Sequence, residues 1–179
     1  IVVTHEISFA REAADRVERA DDARLDRVAE AFARIVDAKS PYTASHSAGV
    51  AEIAEAIAVT MGLDAPTRRL LRRAGLLHDV GKLGVSNRIL DKPGKLDAEE
   101  WVAMRRHPEL SRLILDAVPA LADVARLAGT HHERLDGSGY PDGLTADELA
   151  LPDRILQVAD VAEALSAERP YRAALPVEE

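Results

Sequence analysis

Residues 64–84 read DAPTRRLLRRAGLLHDVGKLG, and the fold is decided here. Asp64 is suited to cap a helix, and Pro66 to sit in its first turn, where a missing N–H is not needed. The helix is expected to run to about Val80, where Gly81 and Gly84 interrupt it. It carries His78 and Asp79 side by side to its end.

Upstream, residues 10–38 form a long amphipathic pattern, with Leu25, Val28, Phe32, Ile35 and Val36 at helical spacing. The segment from Arg11 to Asp26 is densely charged with both signs. That favours a solvated connector; the sharper alternative is a signalling helix that joins an upstream sensor domain or pairs in a homodimer. Pro41 breaks this helix, and a second apolar-periodic stretch runs from about Thr43 to Met61, ended by Gly62. Downstream, residues 85–96 read as a loop with a Lys92-Pro93-Gly94 turn. Asp97 then caps a helix that carries Glu99 and Glu100 in its first turn, and His107-Pro108 marks that helix's end. Further helices are expected at about 109–117, 120–132 and 153–168, with a Gly-, Pro- and Asp-rich loop over 133–152. No segment has strand periodicity, so the chain reads as all-α: residues 1–37 a connector or signalling helix, residues 38–179 one helical domain.

Composition narrows the function. Of 179 residues only 3% are aromatic, as suits helices packed through small aliphatic side chains. There is no cysteine, which excludes disulfides and thiolate metal sites and fits a reducing, cytoplasmic setting. No apolar run approaches the ~20 residues that span a bilayer, and no signal peptide is visible. The net charge of −8 argues against gripping a long nucleic acid, though not against a small anion, since bound cations dominate a local field. The chain opens on Ile1 rather than Met, so a longer protein with upstream segments is expected.

Six histidines are present. His5 has no evident role. Singly, each of the others, His46, His78, His107, His131 and His132, is most simply a surface or hydrogen-bonded side chain. Together they are harder to dismiss. His78 precedes Asp79, His131 precedes His132, and successive sites, ending at Asp160, lie roughly 24–32 residues apart, about one helix and its connection. Ligands so spaced converge on one point from different helices. Imidazole with carboxylate suits Fe, Mn, Zn, Ni or Co, and seven such groups exceed what one ion needs. Two ions at the ~3.5–4 Å of hydrolytic pairs are therefore expected, bridged by Asp79, with a hydroxide between them to attack phosphorus.

Lys82 follows His78 by four residues and Asp79 by three; if the helix persists, all three share a face and the ammonium reaches a phosphate oxygen. The alternative is an ordinary exposed lysine. In the loop from His132 to Pro141, Gly137 and Gly139 permit sharp turns. Tyr140 either stacks on a base, presents its hydroxyl, or seals a structural turn. Arg169 and Arg172 suit a bidentate grip on phosphate or a guanine edge, or a charged helix end. Arg68, Arg69, Arg72 and Arg73 read as a solvated helix face.

His78-Asp79-Val80-Gly81-Lys82, followed by His131-His132-Glu133-Arg134-Leu135-Asp136-Gly137-Ser138-Gly139-Tyr140-Pro141, resembles the HD-GYP branch of the HD phosphohydrolases. Supporting matches are Tyr42-Thr43 before His46-Ser47, Lys92-Pro93-Gly94-Lys95-Leu96, Glu100-Trp101, His107-Pro108, Ala159-Asp160 and Arg169-Pro170-Tyr171-Arg172, so the resemblance covers about residues 38–175. It implies an HD-domain helical bundle with two divalent metal ions, Fe or Mn foremost. The implied ligands are His46, His78, Asp79, His107, His131, His132 and Asp160. Asp79 and Lys82 carry the implied catalytic roles; Lys82, Tyr140, Arg169 and Arg172 face the substrate. The implied reaction is hydrolysis of cyclic di-GMP to the linear dinucleotide and, in some members, on to GMP. The alternatives are a member preferring 3′,3′-cyclic GMP-AMP, a non-catalytic module that binds a cyclic dinucleotide or docks a diguanylate cyclase, and a mononucleotide phosphohydrolase. Members that bind a third metal place a glutamate four residues before the first ligand histidine; here Tyr42 stands there, so two metals are expected. Members often have Arg at the position of Gly49, Pro at Ser86 and Asp at Glu163, differences expected to bear on packing or specificity.

Overall fold

The computed structural model describes residues 22–39 and 45–166. Tyr42, Arg169, Arg172 and the segment before Asp22 lie outside the described residues. Among the described residues eight α-helices follow in order: α1 Asp22–Asp37, α2 His46–Thr60, α3 Ala65–Leu77, α4 Asn87–Leu90, α5 Ala98–Met104, α6 His107–Asp116, α7 Ala122–Thr130 and α8 Leu151–Ser166. Short 3₁₀ turns occupy Val80–Gly84 and Pro119–Leu121. Among the described residues no strand forms, and one isolated bridge joins Asp136 to Thr145. The all-α expectation therefore holds.

The core lies where α2, α3, α7 and α8 meet. Ala51, Ala54 and Ala58 line the buried side of α2, small enough for neighbouring helices to approach closely. Leu71, Leu77, Leu127 and Leu156 fill the space between, each contributing about 1.5–3 kcal/mol by burial.

Helix α1 joins this core. Leu25, Ala29, Ala33 and Val36 recur on one face and are buried, packing toward α3. The charges of α3 then read differently from the solvated face expected. Arg73 donates to Asp26 at 2.6 Å and to Asp22 at 3.0 Å; Arg72 reaches Glu30 at 3.2 Å and Glu55 at 3.3 Å; Arg69 lies 3.4 Å from Asp22. The arginines face the mixed charges of α1, and the two runs form a seam. Partly exposed pairs are worth at most about 1 kcal/mol each, so the seam sets register while the apolar stripe supplies stability.

Two caps appear as expected. Asp64 accepts from the Thr67 N–H at 2.9 Å, and Asp97 forms a capping box with Glu100, each worth about 1 kcal/mol. Two boundaries differ. The expected loop over 85–96 contains the one-turn α4, capped by Ser86. His107-Pro108 opens a helix instead of ending one: α5 stops at Met104 and Pro108 sits in the first turn of α6, where proline loses no hydrogen bond.

Candidate metal centre

The 64–84 stretch behaves as a strand of punctuation around the site. Helix α3 ends at Leu77, earlier than the Val80 expected, with His78 at its C-cap and a 3₁₀ turn following Asp79. Ser111 of α6 fastens this corner: its hydroxyl donates to the His78 carbonyl at 2.6 Å and accepts from the Gly81 N–H at 2.8 Å. Gly81 is needed because a Cβ there would lie 2.0 Å from the His107 carbonyl oxygen and 2.5 Å from the Ser111 nitrogen. Lys39 donates to the Lys82 carbonyl at 2.9 Å, so the end of α1 steadies the turn from the other side.

Four helix ends and one helix face thus deliver side chains to one place: His46 at the start of α2, His78 and Asp79 at the end of α3, His107 at the start of α6, His131 and His132 at the end of α7, and Asp160 within α8. The ends of α7 and α8 are tied by buried Asp153, which accepts from Thr130 Oγ1 at 2.7 Å, Arg126 at 2.7 and 2.8 Å, and the Ala150 N–H at 3.0 Å.

The two carboxylate oxygens of Asp79 face different histidines. Oδ1 lies 3.3 Å from His107 Nε2 and 3.8 Å from His131 Nε2. Oδ2 lies 3.3 Å from His78 Nε2 and 3.7 Å from His46 Nε2. Asp160 Oδ1 stands 3.3 Å from His46 Nε2 and 3.9 Å from His78 Nε2. The rings of His131 and His132 have centroids 4.1 Å apart, and those of His107 and His132 4.9 Å. All seven side chains expected to gather do so.

Their chemistry fits a cation. His78, His107 and His131 donate Nδ1–H to the carbonyls of Gly75, Met104 and Ala128, at 2.8, 2.8 and 2.6 Å. A carbonyl only accepts, so each ring presents its Nε2 lone pair inward. His78 Nε2 and Asp79 Oδ1 are buried with no hydrogen-bond partner among the described residues, a cost of about 1–3 kcal/mol per group that a bound cation would offset. Three overlapping donor sets have ligand atoms within 4.8 Å of one another: His46, His78 and Asp79; His78, His131 and Asp160; and His107, His131 and His132.

Electrostatics agree. Burial pushes His107, His131 and His132 down to about 3, so they are neutral donors near pH 7. Burial works against charge on Asp79 too, yet the Lys82 ammonium and the neighbouring histidines hold its carboxyl well below the usual range. Asp160 is likewise lowered: burial opposes this, and His46 outweighs it. His46 goes the other way. Burial opposes its charge, but Asp160 and Glu163, with Asp79, push it up to about 9.

Lys82 is on the 3₁₀ turn rather than on a continued α-helix, and its ammonium still pairs with Asp79 Oδ2. Tyr140 lies beside His132, with ring centroids 4.9 Å apart, and the Arg105 guanidinium sits 5.2 Å from its ring. Burial pushes the phenol up to about 12. Arg169 and Arg172 lie outside the described residues.

Two further acids, Glu133 and Glu163, support the site. Glu133 is buried, and its carboxylate accepts from the backbone N–H groups of Asp142, Gly143 and Leu144 at 2.7, 3.1 and 3.0 Å. It closes the glycine-rich loop around a negative charge and so places Tyr140. Glu163 accepts from His46 Nδ1. An acid directly after a histidine pair was the available signal for the first; the second stood out only as a glutamate where HD-GYP members often carry Asp. Beside the cage an open pocket of about 720 Å³ is walled by His132, Arg134, Leu135, Gln157, Val161 and Leu165 among others.

The bundle and its buried histidine–aspartate cage define a helical metal-binding domain. A family model described as HD domain matches residues 30–179, and the chain belongs to that family, in its HD-GYP branch. It is 54% identical over 158 residues to the 3′3′-cGAMP-specific phosphodiesterase 3 of Vibrio cholerae, covering 88% of this chain and 34% of that protein. It is 36% identical over 162 residues to the cyclic di-GMP phosphodiesterase response regulator RpfG of Xanthomonas campestris, covering 89% and 42%. The chain therefore spans between a third and half of these relatives. Among solved structures, Bd1817, an HD-GYP-like protein of Bdellovibrio bacteriovorus, shares the fold with a TM-score of 0.62 at 18% identity, covering 89% of this chain and 58% of that one. A cyclic GMP-AMP-specific phosphodiesterase of Vibrio cholerae gives a TM-score of 0.51 at 50% identity, covering 88% and 35%.

Proposed function

We propose that the chain is a phosphodiesterase that cleaves a cyclic dinucleotide with the help of two divalent metal ions, and that 3′,3′-cyclic GMP-AMP is preferred over cyclic di-GMP. The convergence of the inward-facing imidazole nitrogens on the two oxygens of Asp79 carries the first part. The second rests on likeness: relatives at 54%, 45% and 43% identity are described as specific for that hybrid nucleotide, whereas relatives described as cyclic di-GMP phosphodiesterases stand at 42%, 39%, 38%, 36% and 35%.

In this reading His46, His78 and Asp160 would hold one ion and His107, His131 and His132 the other, with Asp79 placed between the two sets. Bound divalent ions would supply a nucleophile from water near neutral pH and neutralise charge on the phosphate; Fe and Mn suit this nitrogen–oxygen donor set, with Ni, Co and Zn also compatible. The backbone carbonyls under His78, His107 and His131 fix the rings, so little reorganisation is needed when the ligand set fills. The Lys82 ammonium pairs with Asp79 Oδ2 and, on a turn at the edge of the cage, is placed to hold a phosphate oxygen as well. The open pocket takes the remainder of the nucleotide, with Arg134 for its charge and Val161 and Leu165 against its flat surfaces.

The test is product chromatography after incubating anaerobically Mn- or Fe-loaded protein with 3′,3′-cyclic GMP-AMP and cyclic di-GMP in parallel. Linear product from the hybrid at the higher kcat/KM is expected. No cleavage of either with two metals per chain bound would reject the activity, and faster cleavage of cyclic di-GMP would reject the preference.

A further inference from the structure

Three buried histidines of the cage lean on the same support. Each donates Nδ1–H to the carbonyl three residues earlier in its own chain: His78 to Gly75, His107 to Met104 and His131 to Ala128. A different acceptor serves His46, the first residue of α2. Its Nδ1 is taken instead by the carboxylate of Glu163, which lies on α8 one turn beyond Asp160. Both side chains are largely buried, 8% exposed for His46 and 13% for Glu163. A charged acceptor in a dry setting makes a stronger hydrogen bond than a carbonyl and increases the electron density on the far ring nitrogen.

Space for this contact comes from Gly49, one turn after His46 on α2. A Cβ at Gly49 would stand 2.8 Å from Glu163 Cγ and 3.4 Å from Glu163 Oε1. Any larger residue would have to displace the glutamate side chain from the place where it meets His46.

We propose that Glu163 is a positioning residue that orients His46 and strengthens it as a metal donor, and that Gly49 holds open the space through which it acts. The consequence is an unequal pair of sites. The ion held by His46 and His78 has one carboxylate-backed imidazole, while His107 and His131, on the other side of Asp79, are backed by backbone carbonyls. The proposal depends on the metal-holding reading above, and the experiment separates the two.

Mn²⁺ is titrated into the metal-free full chain, with free ion read by its EPR signal, for the native sequence and for E163Q, E163A, G49A and G49A/E163A. Circular dichroism melts accompany each. Glutamine keeps the length and an acceptor oxygen but not the charge. Native protein should bind two ions; E163Q should lose about 10–100-fold in affinity for one of them and leave the other within twofold. G49A should weaken the same ion in the native background and have no further effect beside E163A, since its effect is exerted through the glutamate. With Co²⁺ in place of Mn²⁺, the visible band of only one of the two ions should shift in E163Q. Native affinity for both ions in E163Q, equal weakening of both, or an equal loss from G49A in both backgrounds would overturn the proposal. Native protein that binds no Mn²⁺ would instead overturn the reading beneath it, and this inference with it.

Discussion

The Nε2 atoms of His107 and His131 lie 3.2 Å apart in the buried interior, and each ring has committed its Nδ1 proton to a backbone carbonyl. Two lone pairs therefore face one another. Both rings are held down to about 3 by burial, so near neutral pH no proton settles between them. Such an arrangement repels until a cation enters. Metal should accordingly stabilise the fold strongly: at a free-ion concentration 100 times the Kd, by about 2.7 kcal/mol per site. Differential scanning calorimetry with and without chelator should show a fall in Tm of several degrees; identical melts would contradict this.

The metal-free protein should show a stability optimum near pH 6.5. For His107, His131 and His132 the folded value of about 3 lies below the ordinary 6.5. The unfolded chain therefore takes up protons first as pH falls, and stability declines from about 6.5 toward 3. For His46 the folded value of about 9 lies above 6.5. Its contribution is full below 6.5 and is lost as pH rises through 9. Bound metal displaces the His46 proton and should flatten the alkaline arm. Urea melts across this range check both signs; a rising alkaline arm in metal-free protein would contradict the assignment for His46.

Lys82→Ala should separate chemistry from metal binding. The ammonium pairs with Asp79 but contributes no lone pair to the cage. Metal content should stay at the native level while kcat falls by about 10²–10³-fold, the scale for removing one charge-stabilising donor. Metal analysis beside initial rates is the measurement. Loss of metal in parallel with activity would show Lys82 to be structural.

Gly81→Ala should be among the most damaging single changes away from the ligands. The added methyl meets backbone of α6 at 2.0 and 2.5 Å, and backbone cannot swing aside as a side chain can. A loss of about 3 kcal/mol or more is expected, against about 1–3 kcal/mol for Ser111→Ala, which leaves the Gly81 N–H and His78 carbonyl short of a partner. Denaturant melts rank the two; equal, small effects would contradict the corner described.

Much of this was legible in the residues themselves. Asp64, Pro66 and Asp97 mark helix starts that the structure reproduces, because capping is local chemistry. The convergence of His46, His78, Asp79, His107, His131, His132 and Asp160 could be argued from spacing of about one helix each. What could not be read is whatever depends on which surfaces meet. Arg72 and Arg73 looked solvated because the acids that pair with them lie on other helices, Glu30 and Asp26 of α1 more than forty residues earlier and Glu55 of α2 seventeen earlier. His107-Pro108 reads as a stop or a start with equal ease until the neighbouring turn is placed. Gly49 and Glu163 are 114 positions apart, and only the crossing of α2 and α8 makes them neighbours.

The measurement that bears most directly on the dinuclear cage is the number of metal ions retained per chain, by inductively coupled plasma mass spectrometry, after anaerobic loading with Fe²⁺ or Mn²⁺ and desalting. Two per native chain, and no more than one in the His107→Ala/His131→Ala double variant, is the predicted result. A native chain that retains none, or a double variant that retains two, would contradict it.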